Sequence, residues 1–283
     1  MNWRKWFAIS LGVALCVSAP YVVSLARPPQ MGATVSQSAT LSALERAQIV
    51  YLGEVHDNPD HHEQQLRIIE FLHQRNPKLA IALEMFQKPF QPVLDRYLAG
   101  EISEDELREQ SEYDQRWGFD WEFYAPILRY AKAHQLPLIA LNTPTEITRK
   151  VAINGLESLS GEDLVYIPPL SEIDTNQPEY REKIAQVFAQ HGAHGHSLSL
   201  DNFFAAQVLW DETMAHTIAE FWRNSPQRQI IVLAGKGHIY RNYGIPSRVE
   251  RRLGEDLVHY SVGFVHPSEW ENRPNGFDLL WQY

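Results

Sequence analysis

Residues 230–238 read IIVLAGKGH, an apolar run that stops at a glycine and is followed three positions later by a histidine. Residues 49–56, IVYLGEVH, have the same arrangement. Short runs of Val, Ile and Leu that end at turn residues are typical of strands buried on both faces of a parallel sheet. Because ligands of such sheets bind just beyond the carboxyl ends of the strands, the pattern predicts that His56 and His238 share one crevice.

The segments outside these two runs predict helices and further strands. Asn58 followed by Pro59 is typical of a helix start, with Asn58 as the N-cap. Two long segments, about 91–135 and about 145–225, have helical patterns and are predicted to be insertions between strands. The expected fold is therefore α/β, with a mostly parallel central sheet flanked by helices. The predicted strands are 49–52, 79–83, 137–141, 230–234 and 258–262, with an edge strand at 277–281.

The N-terminal thirty residues differ from the rest of the chain. Arg4 and Lys5 precede an uncharged, mainly apolar run over residues 6–26, which is typical of an export signal or a membrane anchor. We therefore expect residues 1–30 to be a signal or anchor, 31–40 a linker and 41–283 the folded domain. The protein is then exported, and it contacts the membrane if this segment is not cleaved.

The charge balance restricts the class of partner. The formal net charge is −10 at pH 7. A nucleic-acid-binding protein needs a basic surface to neutralise phosphates, so the composition argues against such a partner.

Polar side chains capable of acid–base chemistry or metal binding follow the predicted strands. Glu54, His56, Glu84 and His238 all lie within a few residues of a strand end. Imidazole and carboxylate are ligands for zinc, manganese and related ions. One interpretation is a metal site of His56, Glu84 and His238 in which Glu54 is a general base; the other is a hydrogen-bonded polar cluster without metal.

Further candidates lie close to these motifs. Lys236, between the two glycines of the last motif, is suited to binding an anionic group. Tyr240 and Tyr243 are candidate phenolate ligands of ferric haem, although such tyrosines also serve in packing. His61 and His62 are expected at the solvated start of the first helix. A cluster of His191, His194 and His196 is either a haem-contacting loop or a surface loop.

The combination of motifs resembles the ChaN-like haem-binding family of the Tiki superfamily. The resemblance covers about residues 49–248, most of the predicted domain. It rests on GEVHDN (53–58), ALEMF (82–86), WxxYxP (121–126), ALNTP (140–144), WDxxMA (210–215), GKGH (235–238) and GIPSR (244–248).

This resemblance implies a haem-binding protein of the bacterial cell envelope with a role in haem or iron uptake. It implies a tyrosine ligand, for which Tyr124, Tyr240 and Tyr243 are candidates, with His56 and His238 nearby. Lys236 or Arg248 would lie near the propionates, and the cofactor would be shared within a homodimer.

The wider superfamily includes Tiki metalloproteases, whose paired motifs look like His56 and His238 with Glu84. Haem binding is the favoured function and a metal-dependent hydrolase is the alternative. Whether the protein is an enzyme stays open at this point.

Overall fold

The fold is built on six parallel strands. The computed structural model describes residues 37–191 and 199–283, so residues 1–30 and the histidines 194 and 196 lie outside the described part. The strands lie side by side in the order β3-β2-β4-β1-β5-β6. Their bounds are β1 (Ile49–Glu54), β2 (Leu79–Gln87), β3 (Leu138–Asn142), β4 (Gln229–Gly235), β5 (His259–Val265) and β6 (Leu279–Gln282).

Each predicted strand is present, so the α/β prediction is confirmed, and every strand pair in the sheet is parallel. The helices are α1 (Gln37–Leu44), α2 (Pro59–Arg75), α3 (Gln91–Leu98), α4 (Glu104–Gln110), α5 (Tyr113–Arg116), α6 (Trp121–His134), α7 (Thr145–Asn154), α8 (Pro178–His191), α9 (Leu200–Asn224) and α10 (Ile245–Leu253).

Both faces of the sheet are covered, as the continuous apolar strands require. Alternate strand residues such as Leu52 and Leu233 join a core with side chains of α2, α3 and α6. The residues between them, such as Tyr51 and Val232, pack against α9 and α10. The first helical insertion therefore covers one face and the second covers the other.

Local sequence signals explain where α2 begins. The Asn58 side chain accepts hydrogen bonds from the backbone N–H groups of Asp60 and His61, at 3.0 and 3.4 Å, and Pro59 occupies the first turn. Asn58 is therefore the N-cap that the sequence predicts.

The expected linker boundary is corrected by α1, which begins at Gln37 rather than after residue 40. Thr40 is fully buried, and the Gln37 side chain donates a hydrogen bond to the carbonyl of Gln282 in β6. Contacts with the far end of the chain thus order these residues. Among the helices of the described ranges, none combines the length and apolarity needed to cross a bilayer.

Candidate functional site

The site lies where three neighbouring strands end. Because β4 lies between β2 and β1, its terminal Gly235 lies between Glu84 of β2 and the Glu54–His56 segment at the end of β1. His56 and His238 line the same cavity, which confirms that the two glycine–histidine motifs converge.

The first half of the site is a chain of hydrogen bonds through Glu54. The Nδ1–H of His56 donates to Glu54 Oε1 at 2.8 Å, and the Tyr124 hydroxyl donates to the same oxygen at 2.5 Å. Gln65 donates to the other oxygen at 2.7 Å. Burial raises the pKa of Glu54, but the His62 and His56 imidazoles outweigh it and lower the pKa to about 2. Glu54 is therefore a carboxylate that fixes the His56 ring and leaves Nε2 for the cavity.

The second half repeats this arrangement around His238. Its Nδ1–H donates to Asp211 Oδ1 at 2.6 Å, and the Tyr180 hydroxyl donates to Asp211 Oδ2 at 2.7 Å. Its Nε2 lies 3.3 Å from Glu84 Oε1. Burial lowers the pKa of His238, but the carboxylates of Glu84 and Asp211 raise it to about 10. The imidazole is therefore protonated at neutral pH.

Glu84 joins the two halves. Its Oε2 accepts a hydrogen bond from the Gly235 N–H at 2.6 Å. Burial raises the pKa of Glu84, but the His238 imidazolium and the other donors bring it below its ordinary value. A glycine at position 235 lets the His56 ring pack against the end of β4, because a Cβ there would lie only 2.8 Å from His56 Nε2.

A cavity opens above this network and encloses about 860 Å³, its open mouth included. Lys183 and Lys236 are the lysines that line it among the described residues. Its aromatic walls are formed by Phe119, Tyr180, Phe203, Tyr240 and Tyr243.

The three candidate tyrosines are in different positions. Tyr124 is 1% exposed and does not line the cavity, and burial together with the neighbouring Glu54 raises the pKa of its phenol well above the ordinary value. Tyr240 and Tyr243 do line the cavity. The Tyr240 oxygen lies 3.3 Å from Nε of Arg241, and the Tyr243 hydroxyl donates to Glu179 at 2.9 Å. Tyr240 and Tyr243 are therefore accessible from the cavity, whereas Tyr124 supports Glu54.

Arg248 lies beneath the cavity rather than in its wall. The side chain is fully buried, donates to the carbonyls of Tyr243 and Gly244, and has Nε 3.2 Å from Glu212 Oε1. The expectation that Arg248 meets a ligand's propionates is corrected, because the buried side chain does not line the cavity and its Nη1 donates to the turn that carries Tyr243. Lys236, the other expected cation, does line the cavity.

The expected metal set forms a polar cluster. In the described ranges, no group of three or more His, Cys, Asp and Glu side chains is arranged to hold a metal ion. His56, Glu84 and His238 are close together, but His238 is clamped between two carboxylates. Glu54, the expected general base, has both oxygens engaged by Tyr124, His56 and Gln65.

The sequence analysis did not predict several residues of the site. Asp211 and Tyr180 complete the His238 half, and Lys183 and Phe119 line the cavity. All four lie in the helical insertions. Two of them had a sequence signal: Asp211 is part of the WDxxMA motif, and Phe119 lies two residues before the WxxYxP motif.

His61 and His62, expected in solvent, are 6% and 3% exposed. Aromatic rings cover both: Phe264 and Tyr283 pack against His61, and Phe123 stacks on His62.

Comparison with known proteins agrees with this architecture. The family model described as haem-binding uptake, Tiki superfamily, ChaN matches residues 40–249. This chain belongs to that family. A solved structure that shows cofacial haem binding to ChaN of Campylobacter jejuni has the same fold as this chain, with a TM-score of 0.64 at 20% identity, covering 81% of this chain and 86% of that one.

Two further proteins are similar to this chain. A mutant of the erythromycin esterase EreC in its open conformation has a TM-score of 0.50 at 17% identity, covering 82% of this chain and 73% of that one, which shows a shared fold. Protein RETICULATA-RELATED 5 of Arabidopsis thaliana, a chloroplastic protein, is 26% identical over 74% of this chain. The chain spans 30% of that relative's length.

Proposed function

We propose that this protein binds haem in the cavity above His56 and His238 and serves in haem or iron uptake at the bacterial cell envelope. The observation that carries the proposal is membership of the haem-binding uptake family together with an aromatic-lined cavity at the family's motifs. Haem is flat, largely apolar and anionic at its propionates. Aromatic walls with two lysines suit each of these properties.

Each cavity residue has a distinct part in the proposal. Tyr240 or Tyr243 provides the phenolate oxygen for ferric iron, a ligand type that haem proteins use. Lys236 attracts a propionate. His56 and His238 form the polar floor under the cofactor. When bound, haem would supply the iron centre as cargo, and the protein's part is to bind and orient it.

The proposal includes export. Residues 1–30 direct the chain to the envelope, either as a cleaved signal or as a membrane anchor, and a homodimer shares the cofactor. Mass spectrometry of protein from an envelope fraction would identify the mature N-terminus. Light scattering with and without haem would measure the oligomeric state.

Haemin titration tests the function directly. The chain from residue 31 onward is titrated with haemin, followed by absorbance, in protein whose metal content has been measured beforehand. A saturable Soret shift at one or fewer haems per chain is the expected result. A linear absorbance rise identical to haemin in buffer would refute haem binding.

A metal-dependent hydrolase is a second candidate function, favoured by one observation. Each histidine has its Nδ1–H held by a carboxylate, the arrangement that orients metal-binding histidines. In this version His56, Glu84 and His238 would bind zinc or manganese after His238 loses its proton and separates from Glu84, and Glu54 would orient His56 instead of acting as the base. Stoichiometric metal that is lost in His238→Ala, with hydrolysis that depends on it, would support this candidate.

A further inference from the structure

One face of α8 forms a wall of the cavity. Tyr180, Lys183, Ile184 and Val187 all line it, at positions i, i+3, i+4 and i+7 of the helix. This spacing is that of a single buried stripe on a helix. Three members of the stripe are apolar or aromatic and buried, and Lys183 alone is charged.

Among the residues that the structure describes, Lys183 has no carboxylate partner. Its ammonium lies 5.8 Å from the centre of the Tyr240 ring, and no carboxylate of the described residues lies within 4.0 Å of it. The acid one turn earlier, Glu179, accepts the hydrogen bond of Tyr243 instead. A cation over an aromatic face is moderately stabilised, but a partly desolvated ammonium is stabilised much more by an anion.

The position of Lys183 indicates which anion would fit. A lysine on an apolar wall can extend its stem along the hydrocarbon surface and direct its ammonium toward the mouth. A ligand with an apolar body and a carboxylate at its edge would contact both. Lys236 lines the same cavity from the turn after β4, so the cavity has cations from two different elements. The rest of the chain is acidic, with a net charge of −10.

We infer that Lys183 is a specificity-determining residue that binds a carboxylate of the cavity's ligand, selecting tetrapyrroles with ionised propionates over uncharged ones. This inference rests on the proposed haem function and specifies its ligand class. Tyr240 also contributes to this selection. Its ring lies near the Lys183 ammonium, which is thereby placed beside a phenol that lines the cavity.

The test compares haemin with haemin dimethyl ester, which has the same ring and iron but no ionised carboxylate. The full chain, Lys183→Gln, Lys183→Arg and the control Arg181→Gln are each titrated with both. Arg181 is on the same helix but pairs with Asp201 outside the cavity. Because a charge-assisted hydrogen bond contributes about 1.5–3 kcal/mol, Lys183→Gln is expected to weaken haemin binding roughly tenfold or more.

The expected pattern is selective. Lys183→Gln leaves ester binding unchanged, Lys183→Arg keeps most haemin affinity, and the control matches the wild type. Wild-type protein that binds haemin and ester equally, or a Lys183→Gln variant with wild-type preference for haemin, overturns the inference and leaves haem binding intact. Wild-type protein that binds neither compound overturns the proposed function and this inference together.

Discussion

Glu84 lies between the two histidines of the site, 3.3 Å from His238 Nε2, while its other oxygen accepts the N–H of Gly235 beside His56. Each histidine has a second carboxylate and a tyrosine behind it. The result is two similar halves, Tyr124–Glu54–His56 and Tyr180–Asp211–His238, joined at one glutamate. A buried charge that loses its partner is costly. Rotation of either ring would break such a pair, so the network restricts the orientation of both rings.

The protonation of His238 predicts a pH dependence of stability. Because folding raises its pKa from 6.5 to about 10, the protonated ring stabilises the fold fully below pH 6.5 and progressively less as the pH approaches 10. We expect the free energy of unfolding to fall over this range by an amount on the order of 5 kcal/mol from this group.

Urea denaturation at several pH values measures this change. Asp211→Asn should reduce the fall, because Asp211 helps to raise the pKa, whereas Asp114→Asn on the surface should not. Equal curves for wild type and Asp211→Asn would contradict the assignment.

Gly235→Ala should destabilise the protein. The added Cβ would lie 2.8 Å from the His56 ring, so His56 or Glu84 must move. Overpacking of this kind typically costs about 1–3 kcal/mol. Gly237→Ala is the matched control, since its Cβ would have no heavy atom within 4 Å. Thermal unfolding of both variants measures this cost. Equal melting temperatures would show that His56 is not tightly packed against Gly235.

Tyrosine variants should divide into two groups. Tyr124→Phe leaves the cavity unchanged but removes a buried hydrogen bond to Glu54, which costs about 1–3 kcal/mol. Its haem spectrum should match the wild type. Either Tyr240→Phe or Tyr243→Phe should instead change the ferric spectrum and weaken binding. A changed spectrum in Tyr124→Phe with wild-type spectra in the other two would reverse this assignment.

Arg248→Met should be among the more damaging substitutions outside the cavity. It removes the donor to the carbonyls of Tyr243 and Gly244 and one cation of the buried Glu212 cluster. Breaking a buried pair typically costs about 3–5 kcal/mol. Arg251→Met is the comparison, because Arg251 also pairs with Glu212 but is 39% exposed. A loss of stability in Arg248→Met no greater than in Arg251→Met would contradict the buried role.

The strands and their polar ends could be predicted because their signals are local. An apolar run that ends in Gly235 indicates a strand wherever it is, and parallel pairing then places His238 near His56. The N-cap role of Asn58 is equally local. These features depend on neighbours in sequence, so the chain alone reveals them.

Burial at the site depends on distant segments and could not be predicted in the same way. His61 is covered by Phe264 and Tyr283, some two hundred positions away, so its solvated appearance at a helix start was misleading. Arg248 follows the Tyr243 motif and resembles a ligand-binding cation, but its partner Glu212 is on another helix. Lys183 and Tyr180 have no motif around them at all.

We propose that the cavity binds haem through the turn containing Tyr240 and Tyr243. The most direct measurement is a haemin titration of the wild type, the Tyr240→Phe/Tyr243→Phe double variant and Tyr124→Phe, followed at the Soret band. The proposal predicts saturable binding with a tyrosinate-type ferric spectrum in the wild type and Tyr124→Phe, and its loss in the double variant. An unchanged spectrum and affinity in the double variant would contradict it.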